Sequence, residues 1–374
     1  MIVIRQVIII MNNQIDELIN SIKPLDKEAA AKAAERQAKL AKPPGSLGLL
    51  EDISIQLAGI TGKVKNSVEK CRVIVCCADN GIIEEGVSSA PRSVTMAQAV
   101  NMTKRLTGMS SLAKYFGNDV AVADIGIADD YNCPEILDYK ISRGTKNFLK
   151  EDAMSREDAE RAILIGAELA AKAKADGFDA IGIGEMGIGN TSTSSAILAV
   201  LLGVDIQAVT GRGGGLTDSA FLHKKEVLEQ ALLLRKPDPS DVIDVISKVG
   251  GLDIAAMCGV YLGAAANRIP AVIDGFISVV AALCAARLCP NAADFMFPSH
   301  ESFEPGYKLA IDALGLRPWL KLGMRLGEGS GCPIAFQVMK AACAAMNGMA
   351  LFGEESVIDD GYLDEIRSGD SFSV

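Results

Sequence analysis

Short apolar runs alternate with longer stretches of helical periodicity from about residue 71 onward. Each short run is rich in β-branched residues and is followed directly by glycine or polar residues, which is the pattern of a buried strand. Six strands are predicted in this way, over residues 73–77, 120–123, 178–183, 206–209, 271–273 and 295–297. Buried strands that alternate with helices are typical of a parallel sheet covered on both faces. We therefore predict an α/β fold and expect a ligand at the polar carboxyl ends of the strands.

Both ends of the chain show helical periodicity instead. Asp26 is placed to cap an alanine-rich helix that is broken by the Pro-Pro-Gly-Ser sequence at 43–46. A second helix is predicted over residues 47–60, where it ends near Gly62, and another over residues 333–352. These terminal helices predict a second, smaller domain.

The predicted domain boundaries follow from this change of pattern. Residues 70–317 are predicted to form a Rossmann-like domain, a parallel sheet with helices on both faces. Residues 12–69 and 318–374 are predicted to form the smaller helical domain. Residues 1–11 are predicted to be an N-terminal extension, because Met11 could be the initiator and the apolar start is too short to span a membrane.

The composition is that of an acidic globular protein. The chain has 374 residues, of which 49% are hydrophobic and 22% charged, and its formal net charge is −10. Nucleic-acid binding is disfavoured because it requires a basic face, and no sequence signal indicates a membrane partner. An anionic ligand would have to be bound by local donors rather than by the overall field of the protein.

The nine cysteines lack CxxC pairs and the spacings of zinc sites. Cys76 and Cys77 are adjacent within an apolar run, so they are predicted to be core residues of a protein in the reducing cytoplasm. The chain has only two histidines, His223 and His300, which excludes a His-rich metal site. Both histidines are predicted to have structural roles.

Three aspartates, Asp79, Asp124 and Asp274, each follow a predicted strand and could be interpreted as metal ligands. Nothing in the sequence fixes the distances between them, and aspartates at strand ends more often form turns or bind substrate hydroxyl groups. We therefore predict no metal and no cofactor.

Two glutamates lie in glycine-rich segments that are predicted to open helices. Glu185 lies in the segment 184–191, Gly-Glu-Met-Gly-Ile-Gly-Asn-Thr, and Glu328 lies in 325–331, Arg-Leu-Gly-Glu-Gly-Ser-Gly. A helix start offers free N–H groups for phosphate or carboxylate, and glycines let a ligand approach the backbone closely. A carboxylate beside such a turn can act as a base on a substrate whose anionic part is bound next to it. This combination indicates chemistry on a phosphorylated small molecule.

Glu328 nevertheless has two interpretations. Its segment precedes an apolar helix, so partial burial would raise its pKa towards the range of a useful base. Equally, it could be a carboxylate that is stabilised by the start of the helix and has no part in chemistry. The chain alone leaves both open.

Residues 182–187 match the dinucleotide fingerprint GxGxxG, which would indicate an oxidoreductase. Two features oppose this interpretation. Glu185 would repel a pyrophosphate, and Asp205 begins the next predicted strand instead of ending it. The glycines could also serve only for packing.

Four of the five residues at 211–215 are glycine, which indicates close approach of the backbone to a ligand. Lys224 follows on the next predicted helix and could reach a phosphate. The alternative is that Lys224 and Lys225 belong to a solvated helix face.

Taken in order, several blocks resemble the nicotinate-nucleotide–dimethylbenzimidazole phosphoribosyltransferase family of cobamide (vitamin B12) lower-ligand assembly. The resemblance spans about residues 40–350. It depends on the two glutamate segments and on the blocks at 42–48, 78–81, 85–88, 94–95, 248–251, 274–276 and 299–300.

The resemblance implies transfer of the 5-phosphoribosyl group from nicotinate mononucleotide to an aromatic base, with release of nicotinate. It implies that Glu328 is the base that takes the proton of the acceptor, and that Glu185 lies near the ribose. The other implied nucleotide and phosphate residues are Gly187, Gly213, Lys224, Ser302 and Gly329. The implied acceptor residues are Ala90, Gln98, Met186 and Leu326.

Two positions depart from the family pattern. Members commonly carry His where this chain has Asn80, and a larger or polar residue where it has Ala90. The acceptor could therefore be 5,6-dimethylbenzimidazole, a related benzimidazole, a purine or a phenol. The resemblance also implies a dimer, with an identical or a paralogous partner. The alternative function is a non-catalytic paralogous subunit that binds nucleotide and supports an active partner.

Overall fold

The computed structural model describes residues 14–353, 358, 360 and 361. The predicted extension at 1–11 lies outside the described residues, as does most of the chain after residue 353. The chain forms two compact units, of which the larger comprises Lys70–Ala335 and the described residues up to Lys23. The smaller unit comprises Pro24–Glu69 and the described residues from Phe336 onward. The assignment of residues 318–374 to a helical domain stays a prediction.

Six parallel strands form one sheet in the larger unit, which confirms the predicted fold class. The strands are β1 (Cys71–Ala78), β2 (Asp119–Gly126), β3 (Leu137–Asp138), β4 (Ala180–Met186), β5 (Ala271–Ile273) and β6 (Met296–Pro298). Their order is β3-β2-β1-β4-β5-β6, which is that of doubly wound dinucleotide-binding folds. The order reverses between β1 and β4, and ligands bind beside such a reversal, at the carboxyl ends of the strands.

Helices cover both faces of the sheet. Residues 14–21 form α1. The other helices are α2 (Lys27–Lys39), α3 (Leu49–Thr61), α4 (Ser93–Thr103), α5 (Gly108–Tyr115), α6 (Arg156–Ala175), α7 (Asn190–Leu202), α8 (Ile206–Val209), α9 (Asp218–Arg235), α10 (Val242–Val249), α11 (Leu252–Ala266), α12 (Phe276–Leu288), α13 (Pro305–Ala313) and α14 (Cys332–Gly348). Short 3₁₀ helices cover Gly81–Glu85 and Pro290–Phe295. Within the described residues, no helix combines the length and the apolarity that a membrane span requires.

The expected helix caps are present. Asp26 accepts a hydrogen bond from the Ala29 N–H at the start of α2, with a distance of 2.9 Å. Ser155 accepts one from Asp158 at the start of α6, and Gly177, with φ of 77°, follows the end of that helix. Polar residues that satisfy the free N–H groups of the first turn therefore begin these helices where the sequence predicted.

Two elements differ from the predictions. Residues 206–209 were predicted as a strand but form the short helix α8, because the Asp205 side chain accepts the Gln207 N–H and caps a helical turn. An apolar run of four residues is compatible with either structure. The edge strand β3 was not predicted, because its two residues are exposed and carry no apolar pattern.

Glycines allow α6 and α11 to pack closely. A Cβ atom at Gly259 of α11 would fall on the carbonyl oxygen of Ile163 in α6, and one at Gly166 of α6 would fall on the carbonyl oxygen of Ala256. Backbone atoms cannot move aside as the end of a side chain can. The close contact of α6 and α11 therefore requires glycine at positions 166 and 259.

Gly259→Ala should lower the free energy of unfolding by roughly 1–3 kcal/mol, as overpacking of a close contact does. The sign opposes helix propensity, since alanine is about 1 kcal/mol more favourable than glycine in a helix. Gly59→Ala in α3 is the matched control, because its Cβ would first meet the movable Leu25 side chain at 3.2 Å. Urea denaturation measures both. Equal or greater stability of Gly259→Ala relative to the control would contradict the close packing.

Candidate active site

A cavity of about 250 Å³ lies at the carboxyl ends of β4, β5 and β6. Its wall includes the end of β4, the residues that follow β5 and β6, and three loops. The loops contribute residues 88–90, 213–214 and 325–328. The cavity therefore lies on the side of the sheet edge where parallel α/β folds bind ligands.

Glu328 lies in this wall on a strained turn. Its backbone has φ of 63°, a left-handed conformation that is unfavourable for residues other than glycine, and its neighbours Gly327 and Gly329 have φ of 83° and 87°. Glu328 is only 5% exposed, and its Oε2 accepts the Met109 N–H of α5 at 3.0 Å. The turn therefore directs a buried carboxylate towards the cavity.

Asp274 holds this turn in place. One of its carboxylate oxygens accepts the Gly329 N–H at 3.0 Å and the other accepts the Gly331 N–H at 2.7 Å. The turn also packs directly on β4, since a Cβ atom at Gly184 would fall on the Glu328 carbonyl oxygen. Burial raises the pKa of Asp274 to about 7. The position of Glu328 is thus fixed by β4 and by the residue that follows β5.

Glu185 contacts the same turn. Its Oε1 accepts the backbone N–H of Glu328 at 3.1 Å, and its Oε2 accepts a hydrogen bond from the Asn190 side-chain amide. Burial raises the pKa of Glu185 to about 7. The prediction that Glu185 lies in a helix-opening turn was wrong, because it lies within β4 and α7 begins only at Asn190. A carboxyl group with such a pKa can exchange protons near neutral pH.

Lys224 is fully buried, so the solvated-face interpretation was wrong for this residue. Its Nζ donates to the Thr191 hydroxyl at 2.9 Å and to the Gly211 carbonyl oxygen at 3.2 Å. Burial lowers its pKa to about 8, an effect that the nearby Glu304 carboxylate opposes. Lys224 therefore stays mainly protonated at neutral pH, directly behind Thr191 in the cavity wall.

Nine of the eleven site residues from the sequence line this one cavity: Glu328, Glu185, Gly187, Gly213, Ser302, Ala90, Gln98, Met186 and Leu326. The other two are adjacent to it. Lys224 contacts Thr191 of the wall, and Gly329 donates to Asp274 of the wall. The structure therefore brings the eleven residues together, while their individual roles stay predictions.

Other cavity residues were not identified from the sequence. Asn190 and Thr191 belong to the segment 184–191 that contains Glu185, but the sequence did not indicate which side chains of this segment line the cavity. Glu304 and Arg325 also line the wall. His300 is 1% exposed, and burial lowers its pKa to about 4, so it is neutral at physiological pH.

The dinucleotide fingerprint and the aspartate set have structural explanations. Gly182 and Gly184 lie within β4 itself, whereas a phosphate loop would follow the strand. Asp79 accepts the Ala128 N–H, and Asp124 accepts the Ile127 N–H and the Tyr131 hydroxyl, so both stabilise loops. Across residues 14–353 and the three isolated described positions, no group of three or more His, Cys, Asp or Glu side chains could hold a metal ion.

Comparison with known proteins agrees with this geometry. A family model described as Phosphoribosyltransferase matches residues 22–357. A relative from Clostridium tetani is 48% identical over 359 residues, which are 96% of this chain and 99% of the relative. One from Clostridium perfringens is 51% identical over 360 residues, with the same coverage. Both are named nicotinate-nucleotide–dimethylbenzimidazole phosphoribosyltransferase.

Solved structures show the same similarity. The crystal structure of CobT from Thermus thermophilus matches with a TM-score of 0.85 at 36% identity. The match covers 89% of this chain and 100% of the solved chain.

Proposed function

Since the chain belongs to the nicotinate-nucleotide–dimethylbenzimidazole phosphoribosyltransferase family, we propose that it transfers the phosphoribosyl group of nicotinate mononucleotide to an aromatic base. The products are nicotinate and an α-riboside 5′-phosphate, which serves as the lower-ligand precursor of a cobamide. The chain is a pentosyltransferase. The observation that carries the proposal is the single cavity that gathers Glu328, Glu185 and Thr191, the hydrogen-bond partner of Lys224.

The reaction exchanges one bond at the anomeric carbon. The bond to the pyridinium nitrogen breaks and its electrons return to nicotinate, so the cationic leaving group needs little acid assistance. A ring nitrogen of the acceptor, or the hydroxyl oxygen of a phenol, forms the new bond from the opposite face, which inverts the configuration. The acceptor loses its proton to Glu328. Positive charge that develops on the ribosyl carbon is stabilised by the carboxylate of Glu185 in its ionised form.

Glu328 suits the role of base by its position. Its Oε2 is oriented by the Met109 N–H, and a carboxylate has a second oxygen that can accept a proton from an aromatic ring. The hydrogen bonds around Asp274 and Glu185 hold the turn before substrate binds. Fixing both substrates in line at such a site can supply several kcal/mol of the rate enhancement, on the order of 7–11 in well-oriented systems.

The nucleotide phosphate binds at the Lys224 end of the cavity, with Gly213 and Ser302 in the adjoining wall. Gly187 lies in the wall near the ribose, and Gly329 supports that wall by donating its N–H to Asp274. Burial keeps Lys224 dehydrated, which strengthens its attraction to an anion.

Lys224→Met should raise KM for nicotinate mononucleotide by roughly 10- to 100-fold, the loss expected for a hydrogen bond to a charged group. The effect on kcat should be smaller, because the phosphate is remote from the reacting carbon. Lys225→Met is the matched control, since the Lys225 ammonium lies over the Phe221 ring and is not buried. Initial rates of nicotinate release measure both variants. Equal KM values for the two variants would remove Lys224 from the phosphate site.

The acceptor ring binds between Ala90, Gln98, Met186 and Leu326, which line the cavity beside Glu328. A small residue at Ala90 leaves room for substituted benzimidazoles. The test is a panel of 5,6-dimethylbenzimidazole, unsubstituted benzimidazole, adenine and phenol, each incubated with the protein and nicotinate mononucleotide. Formation of nicotinate and a riboside phosphate with at least one acceptor supports the proposal. Absence of both products with every acceptor would overturn it.

The proposal also includes a location in the cell and an oligomeric state. All nine cysteines lie within the described residues as buried thiols, which fits a reducing cytoplasm. We propose a dimer, with an identical or a paralogous partner, and no cofactor. The named relatives match 96% of the chain, which favours an active enzyme over a non-catalytic subunit.

A further inference from the structure

A buried carboxylate outside the cavity contacts the reaction site through one amide group. Asp253 is fully buried near the start of α11. Its Oδ2 accepts a hydrogen bond from Asn190 Nδ2 at 3.0 Å, and the same nitrogen donates to Oε2 of Glu185. The amide thus bridges two carboxylates, of which only Glu185 lines the cavity.

The backbone leaves space for this carboxylate. A Cβ atom at Gly187 would lie 2.5 Å from Asp253 Oδ2 and would also fall against the Ala78 carbonyl oxygen. One at Gly251 would fall against both Asp253 Oδ1 and Asn80 Oδ1. Within the part of the chain that the structure describes, Asp253 accepts from the Asn190 amide, the Ile254 N–H and its own backbone N–H, and no cation pairs with it. Burying a carboxylate without a cation costs free energy that an apolar side chain would not, although the start of a 15-residue helix offsets part of it. A role in function explains the charge better than packing does.

The bridge settles which end of the Asn190 amide faces Glu185. An amide has a donor end and an acceptor end of nearly the same shape. Because Asp253 accepts the second N–H, the nitrogen must lie between the two carboxylates. Glu185 then directs Oε1 to the Glu328 N–H, so a continuous series of hydrogen bonds joins α11 to the turn of the base.

We propose that Asp253 is a positioning residue for phosphoribosyl transfer, which acts through Asn190 to fix the Glu185 carboxylate beneath the ribose. The inference rests on the proposed function. Asp253 does not contact the cavity, so its loss should affect kcat more than the KM of either substrate.

The surroundings of Glu185 give this role a second readout. The groups that face the Glu185 side chain come from five elements. They are Asp253 of α11, Asn190 of α7, Asp274 after β5, Glu328 before α14 and Cys76 on the neighbouring strand β1. Apart from the amide these groups are acids, and His300, which lies 3.8 Å from Asp274, is neutral because burial lowers its pKa. Burial raises the pKa of Asp253 to about 7 as well, so Asp253 and Glu185 ionise over the same pH range and each ionised group opposes ionisation of the other. Removing the Asp253 charge should therefore make Glu185 ionise at lower pH, whereas removing the Asn190 donor should make it ionise at higher pH.

The test compares Asp253→Asn and Asn190→Ala with the wild-type protein over a range of pH. Asparagine has the shape of aspartate, but an NH₂ group replaces one of its two acceptor oxygens. This NH₂ group must face another donor, either the Asn190 amide or the Ile254 N–H. We expect kcat of Asp253→Asn to fall roughly 10- to 100-fold, the usual effect of slightly misplacing a reacting group. KM for nicotinate mononucleotide should change less than about threefold. The acid limb of the kcat profile should move to lower pH in Asp253→Asn and to higher pH in Asn190→Ala, by about one unit.

Glu160→Gln is the control, because Glu160 is a fully buried carboxylate in α6 that pairs with Arg156 and is not part of the cavity wall. It should lower stability and leave kcat and the acid limb unchanged. Opposite shifts of the acid limb in the two variants support the proposal. Shifts in the same direction, or unshifted limbs with an active wild type, overturn it. Absence of transfer in the wild type overturns the proposed function itself.

Discussion

Glu328→Gln is expected to lower kcat by roughly 10²- to 10⁴-fold, the usual contribution of a general base. Glutamine has the same shape, and its amide oxygen can still accept the Met109 N–H that orients the side chain. It cannot accept a proton from the acceptor ring. KM for nicotinate mononucleotide should change little, because the proposed phosphate site is at the Lys224 end of the cavity. Nicotinate release at saturating concentrations of both substrates measures the loss.

The acceptor provides an internal check on this result. A more acidic acceptor, such as a phenol with electron-withdrawing groups, needs less help from a base, so the loss in Glu328→Gln should shrink as acceptor acidity rises. Glu301→Gln is the control, since the Glu301 carboxylate is 44% exposed and pairs with Lys321 outside the cavity wall. A turnover of Glu328→Gln close to that of this control would exclude Glu328 as the base.

Glu185→Gln is expected to lower kcat by roughly 10²- to 10³-fold, as the loss of one preorganised electrostatic contact does in other enzymes. Glutamine removes the charge that we propose stabilises the ribosyl carbon. Its NH₂ group also replaces one of the two acceptor oxygens of Glu185. That NH₂ group must then face another donor, either the Asn190 amide or the Glu328 N–H. Both effects act on the transition state more than on substrate binding.

The same variant should change the pH dependence. Burial raises the pKa of Glu185 to about 7, so the group is protonated below that pH and ionised above it. Only the ionised form stabilises positive charge on the ribose, so wild-type kcat should fall as pH decreases through about 7 and level off above it. The limb near pH 7 should disappear in Glu185→Gln. An unchanged limb in this variant would assign the titration to another group.

The sequence was most informative where burial on both sides of the sheet imposes a continuous apolar run. The strands β1, β2, β4, β5 and β6 all carry such a run and all were predicted. The sequence was least informative for short helices and strands. The four residues of α8 have the same apolar pattern as a strand, and only the cap from Asp205 makes them helical. β3 is an edge strand of two exposed residues, so it has no apolar signal.

The candidate site was predictable where local backbone demands a particular residue. Glycines on both sides of Glu328 indicated an unusual turn, and all three residues have left-handed φ angles. The network behind the site was not predictable. That α11 directs Asp253 at Asn190, and that Asp274 holds the Glu328 turn, depends on which elements meet in space. Sequence spacing carries no information on such contacts between distant segments.

We propose that Glu328 takes the proton of the aromatic acceptor, and a crystal structure of the protein with 5,6-dimethylbenzimidazole tests this role most directly. We expect the ring in the cavity beside Ala90, Gln98 and Met186, with one ring nitrogen about 3 Å from a Glu328 carboxylate oxygen. A ring bound there with both nitrogens directed away from Glu328, or bound outside the cavity, would contradict the claim.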